Sequence, residues 1–120
     1  MADLDERLRA LAMIQKLPAS IRVGAYDFAI EQWHATRVLN KQRWGECAVA
    51  EMYIGIQQDM PTRIKAADTL LHEISHAVWW AFGAQDDDKE ERVVLLTATG
   101  WLCVYRDNPW LLDWLKECIT

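Results

Sequence analysis

Two histidines and a glutamate stand in the sequence at a spacing that suits metal chemistry. Residues 72–76 read His-Glu-Ile-Ser-His, so His72 and His76 are four positions apart. On a helix such residues lie one turn apart on the same face, and both imidazoles can bind one metal ion. Glu73 then lies beside the ion, where it can take a proton from a metal-bound water and pass it to a leaving amine. The segment predicts a catalytic Zn²⁺ site with His72 and His76 as ligands and Glu73 as general base.

A catalytic zinc ion usually has three protein ligands and one open position. We expect the third ligand at the start of the next helix, where Glu90 and Glu91 stand. Apolar residues follow Glu91 at helical intervals, at positions 94 or 95, 98, 101 or 102, and 105, which predicts that Glu91 heads an inward face. This periodicity favours Glu91 over Glu90, and His34 is a further alternative. Both glutamates can also be plain first-turn residues that the helix dipole stabilises.

The rest of the chain must position these groups. Its 120 residues are about the usual size of one domain, and we expect a single domain over residues 1–120. Periodic leucines predict a helix over 3–16, closed by Pro18. Segment 20–33 reads as a strand with Gly24 as a bend, and segment 47–56 reads as a second strand region beyond a loop at 40–45.

The second half of the chain reads as helical. A broad apolar band predicts a long, buried helix over 63–82, with Pro61 at its entry and Gly83 as its C-terminal cap. The acids at 86–88 suit the start of a helix over about 89–106, and a short helix follows Pro109. The order of helix, strands and further helices predicts an α+β fold.

Composition excludes several classes of protein. The net charge is −5 and no two basic residues are adjacent, so we expect no nucleic-acid partner. Three scattered cysteines, Cys47, Cys103 and Cys118, argue against a disulfide framework. No segment has the apolar length of a membrane span, and residues 1–17 lack the apolar core of a signal peptide. We therefore expect a cytoplasmic protein without a membrane partner.

The region from about Thr69 to Trp110 resembles the gluzincin branch of zincin peptidases. It is most similar to very small phage and bacterial proteins related to the ImmA/IrrE-type metallopeptidases. The residues that carry the resemblance are Leu70-Leu71-His72-Glu73-Ile74-Ser75-His76-Ala77, then Glu91-x-x-Val94-x-x-Thr97-Ala98, then Arg106-Asp107-Asn108-Pro109-Trp110.

This resemblance implies a zincin-like minimal domain that binds Zn²⁺ and hydrolyses peptide bonds. It gives His72 and His76 as zinc ligands, Glu73 as general base and Glu91 as the third ligand. The partner it implies is a peptide or protein substrate, whose main chain would pair with an edge strand at Val49–Ile56. It further implies a location in the cytoplasm of a bacterium or a phage-infected host cell.

Two departures from the family pattern leave other interpretations open. The chain is too short for the second domain that forms a cleft wall in larger peptidases, and the sequence identifies no oxyanion-stabilising residue beyond the candidates Tyr53 and Tyr105. The main alternative is therefore a zinc-binding protein that cleaves nothing, such as a phage-encoded binder of a host regulator. A further alternative is a helical domain in which the motif occurs by accident.

Overall fold

A computed structural model describes residues 3–34 and 43–120 of the chain. These residues form the α+β fold that the sequence predicts. In chain order the elements are α1 (Leu4–Gln15), β1 (Ser20–Val23), β2 (Tyr26–Trp33), β3 (Gly45–Ala48), β4 (Tyr53–Gln57), α2 (Arg63–Ala81), α3 (Glu90–Asp107) and α4 (Trp110–Ile119). Residues 40–42 of the predicted loop lie outside the described residues, and Gly45 at its end belongs to β3. No helix in the described part of the chain has the length and apolar character that a membrane crossing requires.

The four described strands form one mixed sheet in the order β1-β2-β4-β3. Strand β1 pairs with β2 antiparallel, β2 pairs with β4 parallel, and β3 pairs with β4 antiparallel. The single strand predicted over 20–33 is in fact a hairpin, because Val23 pairs with Tyr26 across a two-residue turn. Gly24 has a φ of +60° at the first turn position, where type II′ hairpin turns take glycine.

The second predicted strand, 47–56, is also divided in two. A turn at residues 49–52 separates β3 from β4, and the N–H of Met52 donates to the carbonyl of Val49 at 3.3 Å. Met52 has a φ of 60°, which is uncommon for a residue with a side chain. Strand β4 lies between β2 and β3, so the prediction that Val49–Ile56 forms an edge strand is wrong. The edge strands of the described sheet are β1 and β3.

Helix α2 is the central helix, and it contacts β1, β3, β4 and the other three helices. Its N-terminus is capped by Thr62, whose hydroxyl accepts from the N–H of Lys65 at 3.0 Å. Its C-terminus ends at Gly83, whose φ of +77° confirms the predicted glycine cap. The buried face consists mainly of Ala66, Ala67, Leu70, Ile74, Ala77 and Val78.

Helix α3 begins within one residue of its predicted start, but its N-cap and its orientation differ from the prediction. Asp88 does not cap it, since its carboxylate accepts from the N–H of Gln85 at 2.6 Å and from Arg92 at 2.9 Å. The face that Glu91 heads was predicted to be inward, and this is wrong. Val94, Leu95 and Leu102 on it are 55%, 64% and 72% exposed. The opposite side of α3 faces the core instead, with Gly100 and Val104 buried.

Candidate metal centre

The two histidines of α2 approach each other through their ring nitrogens. Nε2 of His72 lies 3.2 Å from Nε2 of His76, and both side chains are exposed. In the metal-free chain this separation suits a hydrogen bond in which one ring donates and the other accepts. Two imidazole nitrogens held at about 2.05 Å by one tetrahedral zinc ion would stand roughly 3.3 Å apart. The pair therefore has the separation that a shared zinc ion requires.

Glu73 completes a group that could hold a metal ion. One ligand atom from each of His72, Glu73 and His76 lies within 4.8 Å of the others. Unlike the two histidines, Glu73 is buried, with 7% of its surface exposed. It is next to His72 in the chain and therefore turns from the wet face of α2 toward the sheet. The structure thus brings together three of the four site residues that the sequence predicts.

The approach of strand β3 to α2 encloses Glu73. A Cβ added to Gly45 would lie 2.9 Å from Cγ2 of Thr69 and 3.2 Å from Cγ of Glu73. It would also lie 3.0 Å from the carbonyl oxygen of Gly55. Gly45 is therefore the residue that lets the edge strand come this close to the helix. The sequence analysis did not identify this role, although a glycine inside a strand commonly marks a close approach of backbone.

Burial is the main influence on the ionisation of Glu73. It raises the pKa of the Glu73 carboxyl, and the charge of Glu46 on β3 raises it further. His72, His76 and Arg43 act in the opposite direction and lower the same pKa. The net direction is upward, because removal of the carboxylate from water disfavours its charged form.

Cys47 lies close to this carboxylate but is a poor metal ligand. Burial raises the pKa of its thiol to about 11, and the charges of Glu73 and Glu46 add to the effect. Metals bind the thiolate form of cysteine, which this environment disfavours. The structure gives Cys47, Cys103 and Cys118 as free cysteines, as the sequence predicts.

A pocket of about 360 Å³ opens beside the histidine pair. His72 and Glu73 form part of its wall, together with Trp44 and the cationic side chains of Arg43 and Lys65. Nζ of Lys65 lies 5.5 Å from the ring centroid of Trp44, within the range of a cation–π contact. No pattern in the sequence indicates this pocket, because residues 43–45 and 65 meet only in the folded chain.

The predicted third ligand lies apart from this group. Glu91 is an exposed residue in the first turn of α3, as is Glu90, and no metal-sized group among the described residues includes either one. His34 is exposed just beyond the end of β2 and also stays outside. The role of Glu91 as a zinc ligand stays a prediction.

The remaining candidates have other contacts. The hydroxyl of Tyr53 donates to Oε2 of Glu46 at 2.6 Å. The ring of Tyr105 packs on Trp101 with centroids 5.4 Å apart. Asp107, part of the resembling segment 106–110, accepts from Arg106 at 2.8 and 3.2 Å.

The fold and this site define a small α+β protein whose central helix carries a candidate metal-binding group. The sequence matches no protein-family model, no curated protein and no solved structure. The assignment of a function therefore depends on the residues and their geometry.

Proposed function

We propose that the chain is a zinc-dependent metallopeptidase of the gluzincin type, related to the small ImmA/IrrE-like proteins that its sequence resembles. The observation that carries the proposal is the 3.2 Å approach of the two histidine nitrogens on one helix, with the carboxylate of Glu73 within 4.8 Å. His72 and His76 hold the metal, with Glu91 as the third ligand. The whole chain acts as one domain.

The chemistry divides between the metal and Glu73. A bound zinc ion supplies a Lewis acid that polarises a carbonyl and acidifies a water. Glu73 accepts the proton of the attacking water and returns it to the amine that leaves. Its position supports this role, since it is next to one ligand in the chain and buried against β3, which limits its access to bulk water.

An extended peptide is the substrate that this surface suits. Strand β3 is at an edge of the described sheet and lies against the histidine helix, where Gly45 approaches Thr69 and Glu73. Peptide main chain can add to such an edge through backbone hydrogen bonds, and pockets beside it select side chains. The pocket of Trp44, Arg43 and Lys65 lies beside His72 and is the place for one such side chain.

Zinc content and peptide cleavage test the proposal together. We expect the purified protein to bind one equivalent of zinc and to cleave members of a quenched-fluorescence peptide library. Loss of a residue that only hydrogen-bonds a metal ligand costs roughly 10–100-fold in metal affinity. His72→Ala and His76→Ala remove the ligands themselves and should weaken zinc binding by more than that. Glu73→Gln should keep the zinc and lose cleavage. Ser75→Ala is the matched control, since Ser75 is exposed on the same helix and its hydroxyl donates to the carbonyl of Leu71 on that helix.

The third ligand needs its own comparison. Glu91→Gln should weaken zinc binding, and Glu90→Gln should leave it unchanged. Equal zinc affinity in both variants would remove Glu91 from the site. Absence of stoichiometric zinc in the unmodified protein would overturn the whole proposal.

A second candidate function is a zinc-binding interaction protein without catalysis. One observation favours it: among the described residues, Glu73 is the one acid that joins the histidine pair. If Glu73 itself binds the metal, no base is left to activate water. Under this alternative Glu73→Gln weakens zinc binding, whereas the peptidase proposal expects the metal to stay.

A further inference from the structure

The pocket beside His72 brings positive charge together in an acidic chain. The net charge of the protein is −5, yet Arg43 and Lys65 both line this pocket of about 360 Å³. Two acids, Asp68 and Glu73, also form part of its wall. The ligand that the pocket prefers therefore depends on which of these four charges already have partners within the chain.

Lys65 is held at the pocket without an anionic partner. Within the described part of the chain it forms no ion pair, and its Nζ lies 5.5 Å from the ring centroid of Trp44. Trp44 is 42% exposed, so the ammonium over its ring is within reach of a ligand. Lys65 is only partly exposed, and water screens such a charge less than a fully solvated one. Its positive charge is therefore left for a ligand.

Arg43 offers further hydrogen-bond donors beside strand β3. Its Nη1 lies 3.3 Å from Oε1 of Glu46. Oε2 of the same glutamate accepts from the hydroxyl of Tyr53 at 2.6 Å, so Glu46 is shared between two donors. A guanidinium has five N–H donors, and the contact with Glu46 uses one of them. Further donors of Arg43 are thus left for a ligand in the pocket.

The two acids of the wall do not cancel this charge. Glu73 is buried and belongs to the group formed with the histidines, where a bound metal ion would offset its charge. Asp68 is exposed, so water screens its charge. Among the ion pairs of the described residues, none joins either acid to Lys65 or Arg43. An anionic group therefore gains more in this pocket than a cationic one.

We propose that this pocket binds a carboxylate of the peptide substrate, supplied by an acidic side chain or by the free C-terminus. Lys65 pairs with the carboxylate beside the ring of Trp44, and Arg43 donates to it from the start of β3. The proposal rests on the proposed function, since the ligand is a peptide that is to be cleaved. Recognition of the carboxylate itself does not need the metal.

The position of Lys65 on α2 sets how far the carboxylate lies from the bond that is cut. Lys65 and His72 are seven residues apart on one face of the helix, roughly 10 Å along its axis. An extended peptide advances about 3.4 Å per residue. The acidic residue, or the C-terminus, therefore stands within about three residues of the cleaved bond.

Peptide binding to the metal-free protein tests recognition apart from cleavage. The probes are three pools of dye-labelled octapeptides with amidated C-termini. Their fourth position is glutamate, glutamine or lysine, and the other positions are randomised with uncharged residues. By fluorescence anisotropy at low salt, we expect the glutamate pool to bind roughly three- to tenfold more tightly than the glutamine pool. The lysine pool should bind most weakly.

Charge reversal at Lys65 gives the sharpest comparison. Lys65→Glu should bind the lysine pool more tightly than the glutamate pool, and Lys65→Arg should keep the wild-type order. The reversed variant should fold, because position 65 is the third residue of α2, where glutamate completes a capping box with Thr62. Lys116→Glu is the matched control. It changes the net charge equally but is exposed on α4 outside the pocket, and it should keep the wild-type order.

A fourth pool identifies the source of the carboxylate. It has glutamine at the fixed position and a free C-terminus. Tighter binding of the amidated glutamate pool assigns the pocket to an acidic side chain, and tighter binding of the fourth pool assigns it to the C-terminus of the substrate. Either order supports recognition of a carboxylate, and in either case Lys65→Glu should abolish the preference.

Failure of this proposal is distinguishable from failure of the proposed function. Cleavage of all four pools by the zinc-loaded protein at equal kcat/KM, unchanged in Lys65→Glu, would overturn the role of the pocket and keep the peptidase. Preferred binding of a carboxylate without cleavage of any pool would support the pocket and overturn the peptidase. Equal binding of all four pools, a preference of the wild type for lysine, or binding of no pool would overturn the present proposal.

Discussion

Gly45 is the residue on which the closeness of β3 and α2 depends. Its substitution by alanine would place a methyl group 2.9 Å from Thr69 and 3.0 Å from the backbone oxygen of Gly55. Because backbone cannot move aside as easily as a side chain, we expect Gly45→Ala to lower the free energy of unfolding by about 1–3 kcal/mol. Urea denaturation measures the change.

The second variant Gly45→Ala/Thr69→Ser identifies the cause of that loss. Serine lacks the Cγ2 methyl group that the new Cβ meets, while the contact with Gly55 remains. We expect part of the lost stability to return in the double variant. A loss that is equal in the single and double variants would assign the whole effect to the strand backbone and not to the packing of α2 on β3.

At the residue scale, the sequence predicts those features of the site that depend on spacing along a single helix. His72 and His76 share a face because they are four residues apart on one helix, and the structure has their nitrogens 3.2 Å apart. The pocket wall at Trp44 and Lys65 depends on how β3 lies against α2, which spacing along the chain does not reveal. For the same reason, periodicity alone could not show where the side chain of Glu91 lies.

Asn108 joins two elements that are far apart in the sequence. Its side-chain amide donates to the carbonyls of Arg22 on β1 and Val104 on α3, at 2.7 and 2.8 Å. Its carbonyl oxygen accepts from the N–H of Arg22 at 3.0 Å. The side chain is thus bonded to both polar backbone groups of Arg22 on the outer side of β1.

Loss of this link should be costly. Asn108→Ala leaves the part-buried N–H and carbonyl of Arg22 without these partners, and each such group costs up to about 1–3 kcal/mol. We expect a loss of roughly 2–4 kcal/mol in the free energy of unfolding, measured by urea denaturation. Asp107→Ala is the adjacent control. It removes an ion pair with an exposed arginine and should lower the free energy of unfolding much less than Asn108→Ala does. Similar losses in the two variants would show that Asn108 does not join β1 to α3.

At the element scale, helices with clear end signals were predictable and strands with hidden turns were not. Thr62 and Gly83 mark the ends of α2 in the sequence and cap it in the structure. The turn between β3 and β4 contains neither glycine nor proline, so segment 47–56 read as one strand. Helix α3 is apolar on both sides, and the pattern therefore could not show which side faces the core.

At the scale of the whole molecule, the first and the central helix are joined by a charged contact. The carboxylate of Glu6 on α1 accepts from the backbone N–H of Arg63 at 2.9 Å and from its Nε at 3.0 Å. Arg63 is the first residue of α2, so the contact fixes α1 to the start of the helix that carries the histidines. These hydrogen bonds lower the pKa of Glu6 from its usual value of 4.5.

This contact predicts how stability depends on pH. The folded chain binds the proton of Glu6 more weakly than the unfolded chain does, because the pKa of Glu6 is lower in the folded chain. The contribution of this contact to the free energy of unfolding is therefore complete above pH 4.5 and is lost as the pH falls through the folded pKa. We therefore expect Glu6→Gln to be less stable than the wild type at neutral pH and to approach it in acid. Urea denaturation of the wild type and Glu6→Gln at each pH measures the difference in their free energies of unfolding. The other carboxylates respond to acid alike in both proteins, so their contribution cancels in this difference. Arg63→Gln removes the guanidinium but keeps the backbone N–H that also donates to Glu6, and it should reduce the pH dependence of the Glu6→Gln effect. A difference that keeps its full size down to roughly pH 3 would show that Glu6 is not linked to folding in this way.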